Sequence, residues 1–125
     1  MRNAPTPRGW IRKFRLALDG MAWAMKGEYS FRVQLPIAAM ALLAAAFFRF
    51  DSDRWALLVL TIGLVLTAEL FNTALESLAK AVDDRPNEPI RRALDVSSGA
   101  VLCSSLFAAG AGVILFWRPL WNWLT

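Results

Sequence analysis

The chain has no histidine and one cysteine, Cys103, in 125 residues. The first absence excludes imidazole acid–base chemistry and histidine metal sites. The second excludes an internal disulfide and any paired-cysteine zinc or redox centre. Charge is also sparse: 19% of residues are charged, against about 25% in ordinary soluble domains. No GxxxxGK[ST] phosphate loop and no dinucleotide GxGxxG fingerprint occurs. The length allows one small domain and excludes a two-domain enzyme with a separate nucleotide-binding fold. What the sequence has instead is apolar content, 57% of residues, with a mean hydropathy of +0.41.

That content is arranged in three uncharged runs, Val33 to Phe48, Trp55 to Ala68 and Val96 to Trp117. A span needs about 20 mostly apolar residues. The third run meets this alone. The first two reach it by extending into flanking residues that snorkel or face the protein interior. The alternative, a soluble bundle, fails because a chain this short cannot cover so much apolar surface. The reading is a single all-α integral membrane domain over 1–125, with transmembrane helices at 31–50, 54–80 and 93–118.

The N-terminal region differs. Residues 1–9, with their prolines, read as a disordered tail. From Trp10 the apolar positions Trp10, Phe14, Ala17, Leu18 and Met21 follow a helical stripe, with Arg12, Lys13 and Arg15 opposite. Residues 10–27 therefore form a basic amphipathic helix suited to the membrane interface. No long apolar region follows the early charges, which argues against a cleavable signal peptide.

Lys and Arg positions set the orientation. Up to Arg32 there are seven (Arg2, Arg8, Arg12, Lys13, Arg15, Lys26 and Arg32), and four lie in the second connection (Lys80, Arg85, Arg91 and Arg92). Only Arg49, Arg54 and Arg118 fall on the other side. The N-terminus and the 80–92 connection are expected in the cytoplasm and the C-terminus outside, where Trp117, Trp121 and Trp123 form an aromatic belt. Because the basic residues serve this topology, nucleic acid is not an expected partner.

The second span carries the informative polar residues. At 100° per residue, Glu69, Thr73, Glu76 and Lys80 share a narrow stripe, with Asn72 beside it. Glu69 lies about 21 Å of helix beyond Trp55, inside the cytoplasmic leaflet. An ionisable group at that depth marks a functional site and suits a general base. Asn72 and Thr73 are equally suited to joining helices by hydrogen bonds, and Glu76 to pairing with Lys80. Glu28, just before the first span, is expected at the depth of Glu76. Two such carboxylates suit Mg²⁺, which is held by one or two carboxylates together with phosphates. Asp95 is read as opening the third helix, where an N-terminal cap role is the simpler account. The small residues from Ser97 to Gly112 are read as close helix packing, and Cys103 among them as a small buried residue. Three helices barely enclose a site, so a homo-oligomer is expected.

The stretch Glu69–Glu76, ELFNTALE, resembles the prokaryotic diacylglycerol kinase family, which includes the undecaprenol kinases. The family pattern, roughly E-x-x-N-[ST]-[AS]-x-E late in the second of three spans, is matched by Glu69, Asn72, Thr73, Ala74 and Glu76. GEYSF around Glu28, the segment from Leu94 through SSGAVL, and the amphipathic N-terminal helix extend the resemblance over nearly the whole chain. The resemblance implies a homotrimeric lipid kinase of the bacterial inner membrane that uses ATP and Mg²⁺ on a membrane lipid alcohol. It implies Glu69 as the base that meets the lipid hydroxyl, with Thr73 beside the substrate and Asn72 supporting catalysis. It implies Glu28 and Glu76 as Mg²⁺ ligands, and Arg12, Glu28, Glu76, Lys80 and Asp95 around the nucleotide. Two positions depart from the pattern. Lys80 stands where the family has an acid, and Leu94 where it has a lysine. The departures leave open compensation between the two positions, altered nucleotide handling, another lipid substrate or lost activity. A non-catalytic lipid- or partner-binding descendant of the fold is the alternative.

Overall fold

The computed structural model describes residues 6–82, 85 and 87–125. Among these it contains four helices: α1 (Pro7–Gly27), α2 (Tyr29–Phe47), α3 (Ser52–Val82) and α4 (Glu88–Leu124). The expected tail falls partly outside the described residues. The rest of it is helical, because Thr6 caps α1 by accepting from the Gly9 amide at 3.0 Å and Pro7 sits in the first turn. Pro at that position lacks only an N–H that the helix leaves unpaired.

Helices α2, α3 and α4 are long and apolar enough to cross a membrane, by length and composition. α3 and α4 make the most extensive contact, and α2 leans on α3. With 31 and 37 residues, α3 and α4 are about 46 and 55 Å long, well beyond a hydrocarbon core of about 30 Å. Both therefore project past the apolar layer.

α4 begins earlier than expected. Asn87 caps it, with its Oδ1 accepting from the Ile90 amide, and Pro89 occupies the first turn. Glu88 holds Arg91 at 2.7 Å and Arg92 at 3.5 Å. Asp95 therefore lies two turns inside α4 and does not open it. The helix also runs through Pro119 to Leu124, past the expected end at 118, with Trp117 and Trp121 stacked 6.0 Å apart.

The turn between α2 and α3 is tightly specified. The Phe50 amide donates to the Ala45 carbonyl and the Arg49 amide to the Ala46 carbonyl. This is a Schellman closure, and it places Arg49 in the left-handed region at φ 55°, where glycine is the usual occupant. Asp51 Oδ1 then accepts from the Arg54 amide at the start of α3. Below the turn Ala45, Phe50, Leu58 and Leu115 form the buried core, with Phe48, Trp55 and Phe116 packed against it. Cys103 is exposed. Its place on α4 turns it away from the other helices, and the expectation of a buried cysteine is corrected.

A carboxylate site linking three helices

The stripe on α3 is buried where it matters. Glu69 is 4% exposed and Thr73, one turn on, 3%. Glu69 has a partner on α2: Gln34 Nε2 donates to its Oε1 at 2.7 Å. A carboxylate only accepts, so the amide nitrogen of Gln34 must face it. The amide oxygen, Gln34 Oε1, then points elsewhere and is buried with no hydrogen-bond partner among the described residues.

A second set of bonds ties α3 to α4. Asn72 Nδ2 donates to Glu76 Oε1 at 2.7 Å, and Ser97 Oγ donates to Asn72 Oδ1 at 2.7 Å. The same argument fixes this amide, since only its nitrogen can serve Glu76. Its oxygen is thereby presented to the Ser97 hydroxyl. Ser97, read from the sequence as packing, is thus part of the polar chain, and it is buried. Glu76 bonds back to Asn72 rather than forward. Among the described residues no ion pair joins it to Lys80, which is exposed.

Glu28 occupies the break between α1 and α2. Its backbone is extended (φ −98°, ψ 132°), its amide closes α1 onto Ala24, and its side chain caps neither helix. The carboxylate is therefore free of a capping duty. Glu76 lies two turns, about 10 Å, beyond Glu69 along α3, and Glu28 stands at the start of α2. No three His, Cys, Asp or Glu side chains among the described residues are grouped tightly enough to hold a metal ion by themselves. Arg12 and Asp95 are exposed, and no bond joins either to this cluster among the described residues.

Gln34 also heads an apolar cavity of about 510 Å³ between α2, α3 and α4. Its walls include Val33, Ile37, Ala38, Val65, Leu66, Ala108, Ala109 and Gly112, and it reaches Phe116 on the far side. The α4 side is made of small residues, which is why a void persists there. A long apolar slot therefore ends at the side chain that holds Glu69.

Three apolar helices with a buried glutamate, amide and hydroxyl chain at one end define a small helical membrane protein with a carboxylate site. Residues 15–116 match the prokaryotic diacylglycerol kinase family, and the chain belongs to that family. It is 33% identical over 108 residues to a diacylglycerol kinase of Synechocystis, covering 86% of this chain and 62% of that protein. The chain thus spans less than two thirds of that relative's length. It is 29% identical over 98 residues to the diacylglycerol kinase of Escherichia coli K12, covering 78% and 80% of the two chains. To the undecaprenol kinase of Bacillus subtilis it is 23% identical over 107 residues, covering 86% and 87%.

Gln34 is the site residue that sequence reasoning passed over. Beyond Ser30 and Arg32 in the first turn it is the one polar residue of α2, and its partner lies 35 positions away. The one signal was its polarity inside a span.

Proposed function

We propose that the protein transfers the γ-phosphate of ATP to the hydroxyl of a membrane lipid alcohol, with Mg²⁺, at the cytoplasmic face of the bacterial inner membrane. The observation that carries this reading is the burial of Glu69 beside an apolar slot, held by Gln34. A carboxylate there has little use unless a group carrying a proton comes to it from the lipid side. Membership of the diacylglycerol kinase family supports the same chemistry.

The residues divide the work. Glu69 takes the hydroxyl proton as the lipid oxygen attacks the γ-phosphorus and ADP leaves. Phosphoryl transfer asks chiefly for positioning and charge neutralisation, so the fixed placement of Glu69 and Asn72 matters more than covalent chemistry. Thr73, buried one turn from Glu69, borders the reacting hydroxyl. Glu28 and Glu76 offer hard oxygen donors that fit Mg²⁺ completed by phosphates. When bound, the ion offsets charge on the β- and γ-phosphate oxygens. Asn72, anchored by Ser97, fixes Glu76. Lys80 and Arg12 supply cations near the phosphates, and Asp95 lies on the nucleotide side.

α1 lies in the interface, with Trp10, Phe14, Leu18 and Met21 exposed beside Arg12, Lys13 and Arg15. The eleven-to-three distribution of Lys and Arg supports a cytoplasmic N-terminus and an outward C-terminus. The most apolar windows of the three spanning helices are only 11%, 17% and 6% buried. That exposed apolar surface is available to lipid or to neighbouring copies, and the family resemblance points to a homotrimer in which neighbouring copies complete the site.

The test is direct. Protein in lipid nanodiscs receives labelled ATP, Mg²⁺ and a panel of lipid alcohols that includes diacylglycerol and undecaprenol. Label is expected in a lipid product. No label in any lipid, with lipid binding retained, favours the non-catalytic alternative.

A further inference from the structure

We propose that the Gln34–Glu69 hydrogen bond is a register pin between α2 and α3 that brings Glu28 level with Glu76, which makes Gln34 a positioning residue for the metal pair. The inference rests on the kinase reading above and deepens its metal site.

The argument is one of helix arithmetic. The short turn between Phe47 and Ser52 makes α2 and α3 antiparallel, so from the Gln34–Glu69 bond the cytoplasmic end lies backward along α2 and forward along α3. From Gln34 back to Tyr29 is five residues, about 7.5 Å of helix. The extended backbone at Glu28 (φ −98°, ψ 132°) adds about 3 Å. From Glu69 forward to Glu76 is seven residues, about 10.5 Å. Two paths of nearly equal length thus leave one bond and end at two carboxylates. Spacing also keeps each set on one face: Glu28, Phe31 and Gln34 on α2, and Glu69, Thr73 and Glu76 on α3. Phe31 and Thr73 hold the intervening level, and they are 0% and 3% exposed. The faces are therefore packed over the stretch that carries the register to the carboxylates.

The pin matters because little else fixes this end. Among the described residues, Gln34 to Glu69 at 2.7 Å is the one side-chain hydrogen bond between α2 and α3. The buried apolar cluster of Ala45, Phe50, Leu58 and Leu115 lies at the opposite end. Apolar contact is non-directional and tolerates sliding, whereas a hydrogen bond sets distance and angle. The tolerance is narrow. Mg²⁺ holds oxygens at about 2.1 Å, so two carboxylate oxygens on one ion lie within about 4 Å of each other. A slide of one turn, about 5.4 Å, separates them.

Mn²⁺ tests the pin without turnover, since electron paramagnetic resonance distinguishes its bound and free forms. Protein in nanodiscs is titrated with Mn²⁺ beside a non-hydrolysable ATP analogue, at matched assembly. Gln34→Met keeps the length of the side chain and removes the donor. It is expected to bind Mn²⁺ about 10-fold more weakly than wild type, the lower end of what a hydrogen bond to a charged group is worth. Glu69→Gln keeps an acceptor oxygen toward Gln34, so it is expected to bind Mn²⁺ as wild type does while turnover is lost. The exchanged pair, Gln34→Glu with Glu69→Gln, rebuilds the bond with donor and acceptor reversed and is expected to restore the affinity. An unchanged affinity in Gln34→Met overturns the inference. Equal weakening in Gln34→Met, Glu69→Gln and the exchanged pair also overturns it, since that pattern marks general damage rather than loss of one bond. No Mn²⁺ bound by wild type removes the metal pair and the pin with it. Labelled lipid from the panel above decides the kinase reading separately: its absence removes that reading, while its presence with an unchanged Gln34→Met affinity removes the pin alone.

Discussion

Ser97→Ala isolates the link between α3 and α4. The hydroxyl donates to Asn72 Oδ1 at 2.7 Å, and Asn72 Nδ2 donates in turn to Glu76 Oε1 at 2.7 Å. Removing the hydroxyl leaves Oδ1 without this donor in a half-buried position. The amide cannot answer by flipping, since that would set its oxygen against the Glu76 carboxylate. The cost therefore lies between the net worth of a neutral hydrogen bond, about 1 kcal/mol, and that of an unsatisfied buried acceptor, up to about 3 kcal/mol. Alanine fits the space, so no packing loss is added. Asn72 then holds Glu76 less firmly. The loss should appear in the ATP and Mg²⁺ dependence, while KM for the lipid stays unchanged because the Gln34–Glu69 pair is untouched. The assay is steady-state turnover in nanodiscs, run as a double-mutant cycle with Asn72→Ala. Ser97→Ala should cost little in the Asn72→Ala background, so that the coupling approaches its full cost, about 1–3 kcal/mol. Equal effects of Ser97→Ala in both backgrounds would refute the polar chain as a unit.

Glu28→Gln and Glu76→Gln should each raise the Mg²⁺ concentration needed for half-maximal turnover, read from a Mg²⁺ titration; an unchanged requirement in both contradicts their assignment as ligands. Lys80→Ala should raise KM for ATP several-fold with KM for the lipid unchanged, since a phosphate contact made in both ground and transition states is uniform binding. The same KM for ATP in both proteins leaves Lys80 with no role at the nucleotide. Arg49→Gly should stabilise the protein by roughly 0.5–1 kcal/mol, because glycine adopts the left-handed conformation without strain while loosening the unfolded chain. Thermal unfolding in detergent checks it, and an unchanged or lower Tm contradicts it.

The spans were legible because bilayer thickness sets the length of an uncharged run. Their ends were less so. The extra turns of α4 lie beyond the hydrocarbon, where hydropathy has no bearing and the start is set by the Asn87 cap and Pro89. Glu69, Asn72, Thr73 and Glu76 were visible because helical spacing puts them on one stripe of a single element. Gln34 and Ser97 were not, since each acquires meaning from a partner on another helix, and no periodicity within α2 or α4 records that pairing. The reading of Ser97 as packing was half right, since a small residue is needed there for close approach and the hydroxyl adds the bond. Cys103 illustrates a different limit. In a membrane helix an apolar residue serves equally well facing lipid or facing protein, so composition does not tell which way it turns.

Glu69→Gln tests the account most directly. The change keeps the size of the side chain and its acceptor oxygen toward Gln34, and removes the group that takes the proton. Turnover of labelled ATP into lipid, measured in nanodiscs beside wild type at matched assembly, should fall by about 10²–10⁴-fold, the usual contribution of a general base. Near-normal turnover by Glu69→Gln would contradict the account, and the buried carboxylate would then be a tie between helices rather than the base.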